Sequence, residues 1–147
     1  MAWDFETEPD FQAKLDWMES FVAEKVEPLG YLGIHPYDVK NPRRNALVRP
    51  LQREVRDQGL WACHLGPELG GQGYGQVKLG LMNEIIGGAT FAPIVFGCQA
   101  PDTGNAEIIA HYGTPEQKER YLRPLLDNEI VSAFSMTEPQ GGSDPTN

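Results

Sequence analysis

Basic residues are scarce in this sequence of 147 residues, and acidic residues outnumber them. Twelve Lys and Arg residues stand against 21 Asp and Glu residues, which gives a formal net charge of −9 at pH 7. A chain with this charge repels polyanions, so nucleic acid and anionic membrane surfaces are disfavoured as partners. An anionic ligand would have to be held by local backbone N–H groups and a few basic side chains.

Cysteine and long apolar runs are scarce as well. The two cysteines, Cys63 and Cys98, lie far apart and form no Cys-x-x-Cys pair, so the sequence predicts free thiols and no structural zinc. No apolar run approaches the roughly 20 residues that span a bilayer. The first residues, Met1 to Glu6, are acidic, unlike a secretory leader. We therefore expect a soluble, cytoplasmic protein.

Apolar residues at helical spacing occupy most of the chain, so we expect a mostly α fold. The longest stripe lies in a predicted first helix that begins near Pro9 and ends at Pro28 to Gly30; its members are Phe11, Leu15, Met18, Val22 and Val26. Further helices are predicted at about residues 45–58, 77–88, 105–112 and 114–122. Thr114, Pro115 and Gln117 have the spacing of an N-cap, a first-turn proline and a capping box.

Three stretches between the helices allow more than one interpretation. The apolar residues 91–99 fit a buried helix or a strand, and their helical surroundings favour a helix. The polar residues 99–105 either form a bend or line a pocket. The glycine-rich residues 59–75 lack the Gly-Lys-Ser/Thr of a phosphate loop, so a shaped connector is the better interpretation.

The end of the sequence has a different pattern. The run from Ile130 to Ala133 is short and contains β-branched residues, which predicts a buried strand. The strand is expected to end at Glu138-Pro139, because proline has no N–H group to pair with a neighbouring strand. The next residues, Gly141 to Asp144, form a turn whose bare N–H groups can make a nest for phosphate. Thr137 and Ser143 add hydroxyl groups, so this stretch suits a flat cofactor that carries phosphate.

The run Met-Thr-Glu-Pro-x-Gly-Gly-Ser-Asp, from Met136 to Asp144, closely resembles the flavin-contacting signature of the acyl-CoA dehydrogenase family. Tyr112 to Lys118 and the glycine-rich connector are also similar to stretches of the family's first domain. Ser135 departs from the Gly, Ala or Cys usual at its position, but it is equally small. The alternative is an ordinary strand followed by a surface turn.

The resemblance implies a fold and a set of site residues. Residues 1–128 would be an N-terminal helical-bundle domain, and residues 129–147 would begin the middle β domain with its first strand. Because family members are more than twice this long, we expect the chain to be truncated. The flavin adenine dinucleotide (FAD) site would include Phe134, Ser135, Met136, Thr137, Gly142 and Ser143. Ser143 would also contact the acyl-CoA substrate.

The resemblance also implies an activity. Family members are FAD-dependent oxidoreductases that convert an acyl-CoA to the trans-2-enoyl-CoA in fatty-acid or related catabolism, pass electrons to an electron-transferring flavoprotein, and form dimers or tetramers. The family's catalytic base lies in a C-terminal bundle, so no catalytic residue is expected here, and Glu138 is not assigned that role. Cys98 to Asn105 resembles the branch of large multidomain animal members, which favour long-chain and 4-hydroxyacyl thioesters.

Two alternatives to a dehydrogenase stay open at this point. The same signature could serve an acyl-CoA oxidase or another flavin enzyme on this fold, which would transfer electrons to oxygen. The chain could also be a helical binding module without chemistry. Access of solvent to the flavin would distinguish an oxidase from a dehydrogenase. The presence of FAD would distinguish either enzyme from a binding module.

Overall fold

Helices dominate the computed structural model, which describes residues 6–69 and 71–142. They are α1 (Pro9–Phe21), α2 (Pro42–Asp57), α3 (Gly75–Ile86), α4 (Ala92–Val95), α5 (Asp102–Tyr112), α6 (Pro115–Gln117) and α7 (Arg123–Leu126). The mostly α class predicted from the sequence is confirmed. The chain forms two compact units that divide between Gln99 and Ala100. The proposed domain boundary after residue 128 stays a prediction.

Helix α1 provides the longest buried stripe of the first unit. All five residues of the predicted stripe are buried, with at most 7% of their surface exposed. The helix does not stop at Phe21, because a π-helical turn (Val22–Val26) and a 3-10 turn (Glu27–Tyr31) continue it. The change of helix type comes before Pro28, whose ring prevents a regular α-helical bond.

Helix α2 begins earlier than the predicted residue 45. The Asn41 side chain caps it by accepting hydrogen bonds from the backbone N–H groups of Arg43 (3.0 Å) and Arg44 (3.2 Å), and Pro42 occupies the first turn. Asn followed by Pro is a standard start signal for a helix. Arg44 is 1% exposed, and its Nε donates to the carbonyl of Pro36 at 2.9 Å.

The glycine-rich connector between α2 and α3 is shaped by close packing. Gly59 ends the preceding helical region with a φ of +67°, a conformation that glycine adopts without strain. A Cβ atom on Gly71 would lie only 1.7 Å from the carbonyl oxygen of Leu65. The glycine at this position therefore allows two backbone segments to approach each other, as a shaped connector requires.

The ambiguous residues 91–99 contain helix α4, so the helical interpretation is confirmed. Ile94, Val95 and Phe96 are almost fully buried in the core of the first unit. The side-chain amide of Gln52 on α2 donates to the carbonyl of Ile94 at 3.1 Å, which gives a polar partner to a buried group.

The second unit is built from α5, α6 and α7. Helix α5 starts at Asp102, three residues before the prediction. The capping box of Thr114 and Gln117 is present as predicted. Helical structure then continues through a π-helical turn (Lys118–Leu122) into α7, past the predicted end at residue 122. Pro124 does not stop it, although proline has no N–H group to donate, and the turn immediately before it is π-helical and not regular α-helix.

The predicted buried strand at residues 130–133 is wrong for this structure. Residues 131–137 have no regular secondary structure, and Ile130 and Val131 are 39% and 38% exposed. A strand requires a neighbouring strand for its hydrogen bonds, and the described residues provide none for this segment. Their β structure is an isolated antiparallel bridge between Glu138 and Gly141.

Candidate functional site

Five of the six predicted flavin-contacting residues lie in the described part of the chain, and all five are exposed; they are Phe134, Ser135, Met136, Thr137 and Gly142. Ser143 lies outside the described residues. Phe134 and Met136 expose 62% and 58% of their surface. Covering such a side chain stabilises a complex by up to about 1.5–3 kcal/mol. The two side chains therefore provide apolar surface for a ligand or another part of the protein.

A tight turn follows these two side chains. The Glu138 N–H donates to the carbonyl of Gly141 at 3.1 Å, and the Gly141 N–H donates to the carbonyl of Glu138 at 3.2 Å. Pro139 favours the turn because its ring fixes φ near the value that the second residue of a turn needs. The Gln140 side chain donates to the Glu138 carboxylate. A turn is therefore present at Glu138 to Gly141, while Ser143 and Asp144 of the glycine-rich turn expected from the sequence lie outside the described residues.

The turn brings together two of the predicted site residues. A Cβ atom on Gly142 would lie 3.0 Å from Cγ2 of Thr137, so the backbone of Gly142 passes close to the Thr137 methyl group. The sequence places these residues on opposite sides of Pro139, and the turn explains why they meet. Their role toward a flavin stays a prediction at this stage.

A buried carboxylate holds the segment that precedes this turn. Oδ1 of Asp102 accepts hydrogen bonds from the Ser132 N–H at 2.7 Å and from the Ser132 hydroxyl at 2.5 Å. The Asn105 side chain donates to the Ser132 hydroxyl at 2.8 Å. From the sequence, residues 99–105 were expected to form a bend or line a pocket. The role of Asp102 was missed because its partner lies 30 positions away.

The charged residues within the segment that carries the candidate site are all acidic. Residues 127–142 contain Asp127, Glu129 and Glu138 but no Lys or Arg. A phosphate group near this segment would therefore depend on backbone N–H groups and hydroxyl groups, as the nest geometry of a glycine-rich turn allows.

A separate cavity of about 430 Å³ lies in the first unit between α1 and α3. Its apolar lining includes Leu15, Val22, Leu81 and Ile85. Three carboxylates, those of Glu19, Glu27 and Glu84, also line it. Like charges repel, so this cavity does not suit the phosphates of FAD or coenzyme A. None of the predicted flavin-contacting residues lines it.

The two thiols are poorly suited to chemistry. Burial raises the pKa of Cys63 to about 11 and that of Cys98 to about 12, so both stay protonated at neutral pH. Across residues 6–69 and 71–142, no three His, Cys, Asp or Glu side chains are grouped to hold a metal ion. Within the same residues, no helix has both the length and the apolar character needed to cross a membrane.

Sequence relatives give these observations a context. The family model for the N-terminal domain of acyl-CoA dehydrogenase matches residues 8–129. Acyl-CoA dehydrogenase family member 10 of Mus musculus is 36% identical over 146 residues, which are 95% of this chain and 14% of the relative. Family member 11 of Rattus norvegicus is 44% identical over 128 residues, which are 86% of this chain and 16% of the relative.

A solved structure agrees with the sequence relatives. A candidate acyl-CoA dehydrogenase from Mycobacterium abscessus superposes with a TM-score of 0.77 at 34% identity, over 97% of this chain and 38% of that protein. The chain therefore spans only a part of the relatives it matches. The family resemblance inferred from the signature is confirmed by sequence and by fold. This chain belongs to the acyl-CoA dehydrogenase family, and its helices correspond to the family's N-terminal domain.

Proposed function

We propose that the full-length protein oxidises an acyl-CoA thioester to the trans-2-enoyl-CoA with FAD as cofactor, in fatty-acid or related acyl-CoA catabolism. One observation carries the proposal: a chain of this family contains the run Met136 to Asp144, and its turn brings Thr137 and Gly142 together beside exposed apolar side chains. This chain would supply one side of the flavin site.

The residues present fit a flavin. Its tricyclic ring needs an apolar face, and the exposed side chains of Phe134 and Met136 offer one. Its phosphates need donors at close range, and Gly142 has no side chain to keep them away from the backbone. Thr137 adds one hydroxyl that can donate to a ring heteroatom.

The reaction requires that the acyl group be aligned with the flavin and that water be excluded from the site. It does not require a reactive side chain from this chain. FAD, when bound, accepts the hydride that leaves the β carbon of the acyl group. Phe134 and Met136 would exclude water from the ring, and Thr137 would orient it through one hydrogen bond. Ser143 is proposed from the signature alone as a donor to the cofactor and the acyl-CoA. We assign no catalytic base to this chain, because the family's base, which removes the α-proton, lies in a C-terminal bundle.

The partners proposed for the full-length protein follow from its family. They are an acyl-CoA substrate, an electron-transferring flavoprotein that removes the electrons, and further copies of the same chain in a dimer or tetramer. The length of the acyl chain is left open, because the match of Cys98 to Asn105 to one branch is short.

The test is to isolate the full-length protein from its natural source and to measure its mass and its released FAD under denaturing conditions. We expect FAD at about one equivalent per chain and reduction of a dye acceptor when acyl-CoA thioesters of different lengths are added. Equal turnover with oxygen and with the dye would indicate an oxidase instead. A protein without FAD that does not respond to any thioester would overturn the proposal.

A further inference from the structure

Asp102 has an unusual position for a carboxylate. It lies in the first turn of α5, and only 4% of its surface is exposed. A buried carboxylate is costly unless hydrogen bonds replace its water. The Ser132 N–H and hydroxyl, at 2.7 and 2.5 Å from Oδ1, provide two such bonds. Hydrogen bonds to an ionised group are shorter and stronger than those between neutral groups.

Asn105 completes a three-residue cluster. It lies three positions after Asp102, so both side chains lie on the same face of α5. Its Nδ2 donates to the Ser132 hydroxyl at 2.8 Å, while that hydroxyl donates to Asp102. The hydroxyl is therefore donor and acceptor at once, which fixes the side chain and the backbone of Ser132 together.

The location of Ser132 gives the cluster its importance. Residues 131–137 have no regular secondary structure, and among the described residues their hydrogen bonds all involve Ser132. Ser132 lies two positions before Phe134 and five before Thr137. Because this segment has no paired strand, the hydrogen bonds of Ser132 are what fix its position. Ser132 lies shortly before the residues proposed to contact the flavin.

We propose that Asp102 and Asn105 are positioning residues for the flavin, and that they act through Ser132 to fix the path of the chain into the flavin-contacting run. This inference rests on the proposed function. The cluster does not touch the cofactor in this scheme. The cluster orders the segment before the cofactor binds. The free energy of FAD binding is therefore not reduced by the entropy lost on ordering it.

The test compares Ser132→Thr with Ser132→Val in the full-length protein. The two substitutions give side chains of nearly the same shape, but only threonine keeps the hydroxyl. We measure the FAD dissociation constant and the visible absorption spectrum of the bound flavin. Threonine should leave the constant within about twofold of wild type, and valine should raise it by about 10-fold to about 100-fold, as expected for loss of a hydrogen bond to a buried charge.

A second pair of variants tests the carboxylate itself. Asp102→Asn removes the buried charge, and Glu107→Gln removes an exposed charge from the same helix as a control. We expect weaker FAD binding and a changed flavin spectrum for Asp102→Asn alone. Thermal unfolding of each variant is recorded beside these values, because a purely structural role would lower the melting temperature and leave the flavin spectrum unchanged.

The outcomes separate this inference from the proposed function. Wild-type protein without FAD would overturn the proposed function, and the positioning role with it. Wild-type protein with FAD, together with equal dissociation constants and spectra for the threonine and valine variants, would overturn the positioning role alone.

Discussion

Helix α1 and residues 130–137 both carry large apolar side chains, but they place them in opposite surroundings. Met18 on α1 is fully buried, whereas Met136 is 58% exposed. The apolar side chains of α1 pack in the core of the first unit, because helical periodicity places them on one face. Residues 131–137 have no regular secondary structure, so no periodicity places their apolar side chains on one buried face. Their apolar surface is exposed among the described residues, and we have proposed that a flavin covers it.

The largest expected effect comes from the same substitution at the two methionines. Met18→Ala should reduce the free energy of unfolding by about 2–5 kcal/mol, because it leaves a cavity in a packed core. Met136→Ala should change it by less than about 0.5 kcal/mol, as exposed positions do, and should instead weaken FAD binding. Denaturant unfolding and flavin titration measure the two quantities. Similar losses of stability at both positions would refute the contrast between the two regions.

Two glycines of the first unit give the next effect. Gly71→Ala should lower stability by about 1–3 kcal/mol, because its Cβ atom would collide with the Leu65 carbonyl oxygen. Gly80→Ala is the control, since nothing lies within 4 Å of a Cβ atom there and alanine favours a helix interior by about 1 kcal/mol. Opposite shifts of the melting temperature are expected. A neutral Gly71→Ala would show that the connector relaxes easily.

The features that the sequence predicted well are local. The stripe of α1 and the capping box at Thr114 depend on residues three or four positions apart, and both are present. The predicted starts of α2 and α5, residues 45 and 105, are each three residues later than the observed starts at Pro42 and Asp102. Both are first-turn residues, and proline and aspartate are common at that position.

The features that were missed depend on distant residues. A strand at residues 130–133 needs a pairing partner, which a local pattern cannot supply. The bond from Ser132 to Asp102 joins positions 30 apart, and each residue alone is an ordinary polar residue. The candidate flavin residues came from the resemblance to the family instead of from periodicity. Five of them can be located in the structure, and Ser143 stays a prediction.

The capping box of the second unit predicts a smaller effect. Thr114→Ala removes the hydroxyl that accepts from the Gln117 N–H at 3.2 Å and should cost about 1 kcal/mol of stability. Thr114→Ser keeps the hydroxyl and should cost little. Hydrogen exchange of the α6 amides, measured for both variants, checks the assignment. Equal protection in the two variants would mean that the cap does not stabilise this helix.

The smallest effect is expected at Thr137, where it tests the exposed region directly. Thr137→Val keeps the Cγ2 methyl that lies against Gly142 and removes only the hydroxyl. If that hydroxyl donates to the flavin, FAD should dissociate about 3-fold to about 10-fold more readily, which corresponds to one hydrogen bond of about 0.5–1.5 kcal/mol. Thr137→Ser keeps the hydroxyl and removes the methyl, so it should retain the cofactor unless packing against Gly142 is what matters. Loss of FAD from the serine variant alone would assign Thr137 to the shape of the turn, and loss from the valine variant alone would assign it to the flavin.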